Sequence, residues 1–201
     1  TRRPFLGAFA LFYGCFTLGL LVALSRGYVT LNMTGAGTLP VFLSYGLGMV
    51  LGCAALFFAA LFGHRALGLR RPWRLAAVAA AMTLAALAML PPLGVRYDPA
   101  GAAYELLAGH FAGATVQLAV FAYILVLLVR ALRAGADRYD TLFFAGMGAF
   151  AAVGFGESAL GLAEAWHAPV GRLDAPAESF LYSSIPYLLF SLFLGAYLGR
   201  L

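Results

Sequence analysis

Apolar stretches of roughly 20 residues, the length that crosses ~30 Å of hydrocarbon as a helix, recur along this chain and leave little choice of fold. They run Phe5 to Leu24, Val41 to Phe62, Leu75 to Val95, Ala108 to Val129, Thr141 to Ala165 and Phe180 to Leu198. Of the 201 residues, 63% are hydrophobic and 10% are charged, and the mean hydropathy is +0.91, outside the range of soluble domains. The expected fold is all-α: a polytopic integral membrane protein of six transmembrane helices. The polar stretches between the spans are short, so residues 1–201 read as a single helical bundle with no detachable soluble domain.

The basic residues orient that bundle. All thirteen are arginine. Arg2 and Arg3 precede the first span, Arg65, Arg70, Arg71 and Arg74 follow the second, Arg130, Arg133 and Arg138 follow the fourth, and Arg200 follows the sixth. The alternate connections hold Arg26, Arg96 and Arg172. Positive charge concentrates in cytoplasmic loops, so both termini are expected in the cytoplasm. The net charge of +5 then reports topology and the expected partner is the lipid bilayer, not nucleic acid. An Arg-, Ala-, Leu- and Gly-rich composition suits a bacterial inner membrane. Without a lysine amine, Schiff-base chemistry with retinal or a carbonyl substrate is excluded.

The first span also imitates a secretory signal, with two arginines, an apolar stretch and Ala23-Leu24-Ser25. Its apolar stretch exceeds the ~7 to 15 residues of a signal core, and a start at Thr1 instead of Met suggests earlier trimming. Asn32-Met33-Thr34 fits the N-glycosylation acceptor pattern, which carries no expected role in a bacterium. Gly48 and Gly52 form a small-xxx-small pair, and Gly14, Gly19, Gly146, Gly154, Gly161 and Gly195 offer further points of close helix approach. Pro186 is expected to kink the sixth span.

Glu157 stands inside an apolar run, where a carboxylate is costly and reads as functional by default. At ~1.5 Å per residue it falls roughly 10 Å short of the outer end of its span. Glu164 is two turns further along the same face, and His167 follows Glu164 at i+3. His110 and Gln117 on the fourth span, and Tyr182, Ser183, Ser184 and Tyr187 on the sixth, reach the same outer half. Glu157, Glu164, His110, Gln117, Tyr182 and Tyr187 form the expected substrate- or proton-binding site. The alternative is a hydrogen-bonded packing cluster in which Glu157 stays neutral.

Three histidines are too few for two bis-histidine haems. A single haem or a metal ion held near the outer face by His110, His167 and Glu164 stays open, although no cofactor is expected. His64, at the cytoplasmic end of the second span, reads as an interfacial residue. Ser158 lies in the middle of a span without the strand-to-helix turn of a nucleophile elbow, and no phosphate-binding Gly-Lys loop exists.

Cys15 and Cys53 sit near the midpoints of two adjacent spans, so a redox pair is conceivable if their faces meet; inert packing is the alternative. Phe42-Leu43-Ser44-Tyr45-Gly46-Leu47-Gly48-Met49, an apolar run and the loop Arg65 to Arg74 resemble the span-and-loop of the CcdA family of membrane thiol-disulfide carriers. The resemblance covers residues 5–93 and implies a fold of membrane helices that passes electrons outward for cytochrome c biogenesis. That family keeps its cysteines beside prolines in two repeats, whereas Cys15 precedes Phe16-Thr17-Leu18-Gly19 and the second half has no cysteine. The wider superfamily includes small-solute and cation exporters. The expected function is a small transporter or permease-type subunit, proton- or cation-coupled. The alternatives are a thiol-disulfide carrier and an accessory subunit with membrane partners or a second copy.

Overall fold

The computed structural model describes residues 5–32, 38–98, 103–134 and 138–172. The sixth expected span, with Tyr182, Pro186 and Tyr187, lies outside the described residues. Five helices follow one another: α1 (Leu6–Asn32), α2 (Thr38–Ala66), α3 (Pro72–Met89), α4 (Ala108–Arg133) and α5 (Arg138–His167). Four segments are long and apolar enough to cross a membrane, Tyr45–Ala66, Pro72–Met89, Ala108–Arg133 and Asp140–His167, and α1 adds the shorter apolar segment Leu6–Val22. Large apolar side chains such as Leu84, Leu87, Val126 and Leu160 are exposed on the outside of the bundle, a surface that lipid accepts and water does not.

The helix ends follow from local chemistry. α2 closes with a reversed turn in which Gly68 takes a φ of +61°. There the Leu69 N–H donates to His64 O at 2.9 Å and the Gly68 N–H to Arg65 O at 3.2 Å, the two bonds of a glycine-terminated helix. α3 opens on Pro72, whose missing N–H would be unpaired there anyway. It stops at Met89, short of the expected Val95, because Leu90 precedes Pro91 and is held extended at φ −72°, ψ 153°.

The expected outer connections contain a sheet that the hydropathy pattern hides. β1 (Val95–Asp98), β2 (Ala103–Leu106) and β3 (Val170–Arg172) pair antiparallel in that order. Val95 opposes Leu106 and Arg96 opposes Glu105, while Tyr104 opposes Gly171. Since β1 and β2 lie between α3 and α4 and β3 follows α5, the pairing brings the end of α3, the start of α4 and the end of α5 to one end of the bundle. The Arg-rich turns, Arg65 to Arg74 and Arg130 to Arg133, therefore share the other end. Both tryptophans are exposed, Trp73 at the arginine end and Trp166 at the sheet end, where amphipathic rings suit the two faces of a bilayer.

Two kinds of contact fill the interior. Phenylalanines lock α1, α2 and α5 together: Phe9 meets Phe143 edge-on at 5.0 Å, Phe5 meets Phe62 at 5.6 Å and Phe16 meets Phe150 at 5.2 Å. Phe62 and Phe143 are fully buried. Glycines let α4 approach α3. A Cβ on Gly109 would lie 2.3 Å from Ala88 O, and one on Gly113 would lie 2.3 Å from Met89 Cγ and 2.9 Å from Ala85 O. Gly63 of α2 similarly faces Leu127, whose Cβ is 3.0 Å from an added Cβ.

Among the described residues the expected Gly48 and Gly52 pair is not where helices meet, since an added Cβ at either would touch nothing within 4 Å; the same holds for Gly14 and Gly161. Gly113→Ala is therefore expected to lower stability by about 1–3 kcal/mol, the cost of overpacking against unyielding backbone. Gly48→Ala is expected to be neutral or mildly stabilising by up to about 1 kcal/mol. Thermal unfolding of the two variants in detergent checks the contrast.

Candidate functional site: the polar seam between α2 and α4

In lipid a polar side chain has no water to fall back on, so it is matched inside the bundle or it is costly. The described residues solve this along one seam. At the sheet end the Tyr45 hydroxyl and His110 Nδ1 are 2.8 Å apart. Deeper, Gln117 donates from Nε2 to Cys53 Sγ at 3.2 Å. At the arginine end His64 Nε2 and the Tyr123 hydroxyl are 2.5 Å apart. The order is the same along both helices, so α2 and α4 run parallel. At ~1.5 Å per residue the three couples divide α2 into steps of roughly 12 Å and 16 Å.

The sequence itself positions them. Gly63 lets α4 close onto the last turns of α2, and Tyr123, one turn before Leu127, comes within reach of His64. Gly109 and Gly113 hold the first turns of α4 against α3, which fixes His110 between them. At this end Phe111 also meets Trp166 of α5, edge-on at 5.2 Å, and ties α4 to α5.

The expected site divides in two. His110 and Gln117 turn towards α2, whereas Glu157 and Glu164 are exposed on α5, as is His167. Tyr182 and Tyr187 lie outside the described residues. Among the described residues no group of three or more His, Cys, Asp and Glu side chains could hold a metal ion, so His110, His167 and Glu164 do not form the trio that a shared ion needs. Cys53 is buried and Cys15 is half-buried against the core, and both are free thiols. Gln117 thus links the two residue sets that the sequence kept apart, the polar site and the cysteines.

Three members of the seam went unread in the sequence. Tyr45 belongs to the stretch compared with the CcdA family, but nothing in its spacing marks it as a partner of His110. Tyr123 is an isolated phenol in an apolar helix. His64 was expected at the interface, yet it is only 1% exposed and points inward. The available signal was parity: each of α2 and α4 carries one histidine near one end and one tyrosine towards the other, in opposite order.

The comparisons with known proteins add no relative: no family model, curated protein or solved structure matches the chain.

The middle couple gives an asymmetric expectation. Cys53→Ala leaves the Gln117 amide unpaired and is expected to cost about 1–3 kcal/mol, whereas Gln117→Leu leaves only a weakly accepting sulfur and is expected to cost less than about 1 kcal/mol. Urea or thermal unfolding of both variants in one detergent measures the difference.

Proposed function

We propose that this chain is a small polytopic membrane transporter or permease-type subunit whose pathway follows the α2–α4 seam. The observation that carries the reading is the placement of three polar couples, Tyr45–His110, Cys53–Gln117 and His64–Tyr123, at successive levels of one otherwise apolar interface. Polar groups that face one another inside a span mark solute or ion routes. A purely structural interface would more simply be apolar, since hydrogen bonds between membrane helices contribute only about 0.6 kcal/mol each on average.

In this reading the protein sits in a bacterial inner membrane with its arginine end in the cytoplasm and its sheet outside, and the coupling ion is a proton or another cation. His110 and Gln117 bind and orient the transported species, with Tyr45 and Cys53 as their partners. Glu157 and Glu164, exposed on α5, form a second acidic element towards the outer side, apart from the seam.

A thiol-disulfide carrier is the second reading, favoured by one observation: Cys53 is held by Gln117 inside the seam rather than packed only against apolar groups. An accessory role, with a partner subunit or a second copy against α5, is the third. The readings separate in proteoliposomes. Gln117→Leu is expected to reduce ion-gradient-driven flux at least about tenfold, equivalent to ~1.4 kcal/mol in the barrier, while the protein stays folded, and Glu157→Gln is expected to remove its pH dependence. Unchanged flux in both variants, together with redox-dependent thiol labelling lost in Cys15→Ser and Cys53→Ser, would replace transport with the thiol relay.

A further inference from the structure

One buried polar atom remains unaccounted for by the seam. His64 lies in the last turn of α2 and is 1% exposed; its Nε2 faces the Tyr123 hydroxyl, and its Nδ1 has no hydrogen-bond partner among the described residues. Two tautomers fit the contact. In one, Tyr123 donates to Nε2 and a buried Nδ1–H is left with no acceptor. In the other, Nε2–H donates to the phenolic oxygen and Nδ1 keeps a bare lone pair. Orphaned buried N–H donors are rarer in folded proteins than under-satisfied acceptors, so the second arrangement is preferred.

From this we infer that His64 is a proton-binding site of the bundle, with Nδ1 as the atom that takes the proton from the arginine-rich end. The groups that bear on it are few. Tyr123 from α4 bonds to it directly, Arg74 from α3 is close enough for its positive charge to oppose a proton on the ring, and the adjacent Arg65 is exposed, so the protonated ring is the state that the closed seam resists. No carboxylate among the described residues pairs with His64. Taking up a proton at Nδ1 creates a charged donor where no acceptor waits. Opening the seam at this end relieves that state, because Nδ1–H then reaches water, while the closed seam suits the neutral ring. A ligand or proton shifts such an equilibrium only through its differential affinity for the two states, and an imidazole paired on one side only supplies that difference. The coupling of this proton to a transported species rests on the transport reading above; the protonation itself does not.

The test is direct observation of the ring. Full-length protein carrying 15N-histidine is reconstituted in lipid bilayers and its spectra are followed from neutral to acidic pH. The chain has three histidines, and His64→Gln removes the signals of one of them. If that variant does not fold, Tyr123→Phe keeps the imidazole and assigns the same residue by displacing its Nε2 signal alone. The expected result is a bare Nδ1 beside a protonated Nε2 at neutral pH, with loss of the bare-nitrogen signal on acidification. A Nδ1 protonated at every pH, or a bare Nδ1 that never titrates, overturns the inference. Flux measured in parallel keeps the two ideas apart: normal titration without any flux contradicts transport and leaves the proton site standing, and flux without titration does the reverse.

Discussion

Close approach of α4 to its neighbours is the constraint on which the rest of this structure depends. Membrane helices gain little from excluding lipid from one another, so they associate through packing and through polar contacts that need short backbone distances. Gly109 and Gly113 bring α4 against the end of α3, and Gly63 brings α2 against Leu127. A side chain at Gly109 or Gly113 would run into the backbone at the end of α3 and push α4 outward, whereas one at Gly63 would meet only the Leu127 side chain. The bonds from His110, Gln117 and Tyr123 to α2 are between 2.5 and 3.2 Å, so a small displacement would break them. The phenylalanine contacts among α1, α2 and α5 supply bulk cohesion at the arginine end, and the glycines set the geometry.

The sheet does for the opposite end what the glycines do for the seam. Its three strands draw the α3–α4 connection and the segment after α5 into one hydrogen-bonded unit, and the Leu106 N–H adds a bond to Pro169 O at 2.8 Å. The Arg96–Glu105 ion pair, 3.6 Å long between largely exposed side chains, adds little, because such pairs are worth about 0–1 kcal/mol. Backbone pairing holds this cap, and it leaves the polar couple nearest to it, Tyr45–His110, beneath an ordered surface.

Hydropathy made the helical class and the described spans legible, because an apolar run of membrane length has few other uses. The ends were less legible. Leu75 to Val95 reads as one span, but the extended backbone demanded by Pro91 outweighs the apolarity of its last residues and converts Val95 to a strand. The seam was half legible. His110 and Gln117 announce themselves as polar residues in a span, yet which face they present depends on glycines whose role is decided by the neighbouring helix. Gly48-x-x-x-Gly52 and Gly109-x-x-x-Gly113 are the same pattern in sequence, and among the described residues only the second has a helix against it. Glu157 was read by its distance along the span and by the face it shares with Glu164, and neither says what that face meets; on α5 both carboxylates are exposed.

Whether the α2–α4 seam must open for function is tested most directly by locking it. A Cβ placed on Gly63 would lie 3.0 Å from the Leu127 Cβ, slightly closer than the ~3.5–4.5 Å that a disulfide spans, so a small outward adjustment brings the pair into range. With both replaced by cysteine, oxidation is predicted to cross-link α2 to α4 in the membrane, as read by mass spectrometry, and to stop ion-gradient-driven flux until a reductant restores it. Full flux through the cross-linked protein, or no cross-link under conditions that oxidise exposed thiols, would contradict the account.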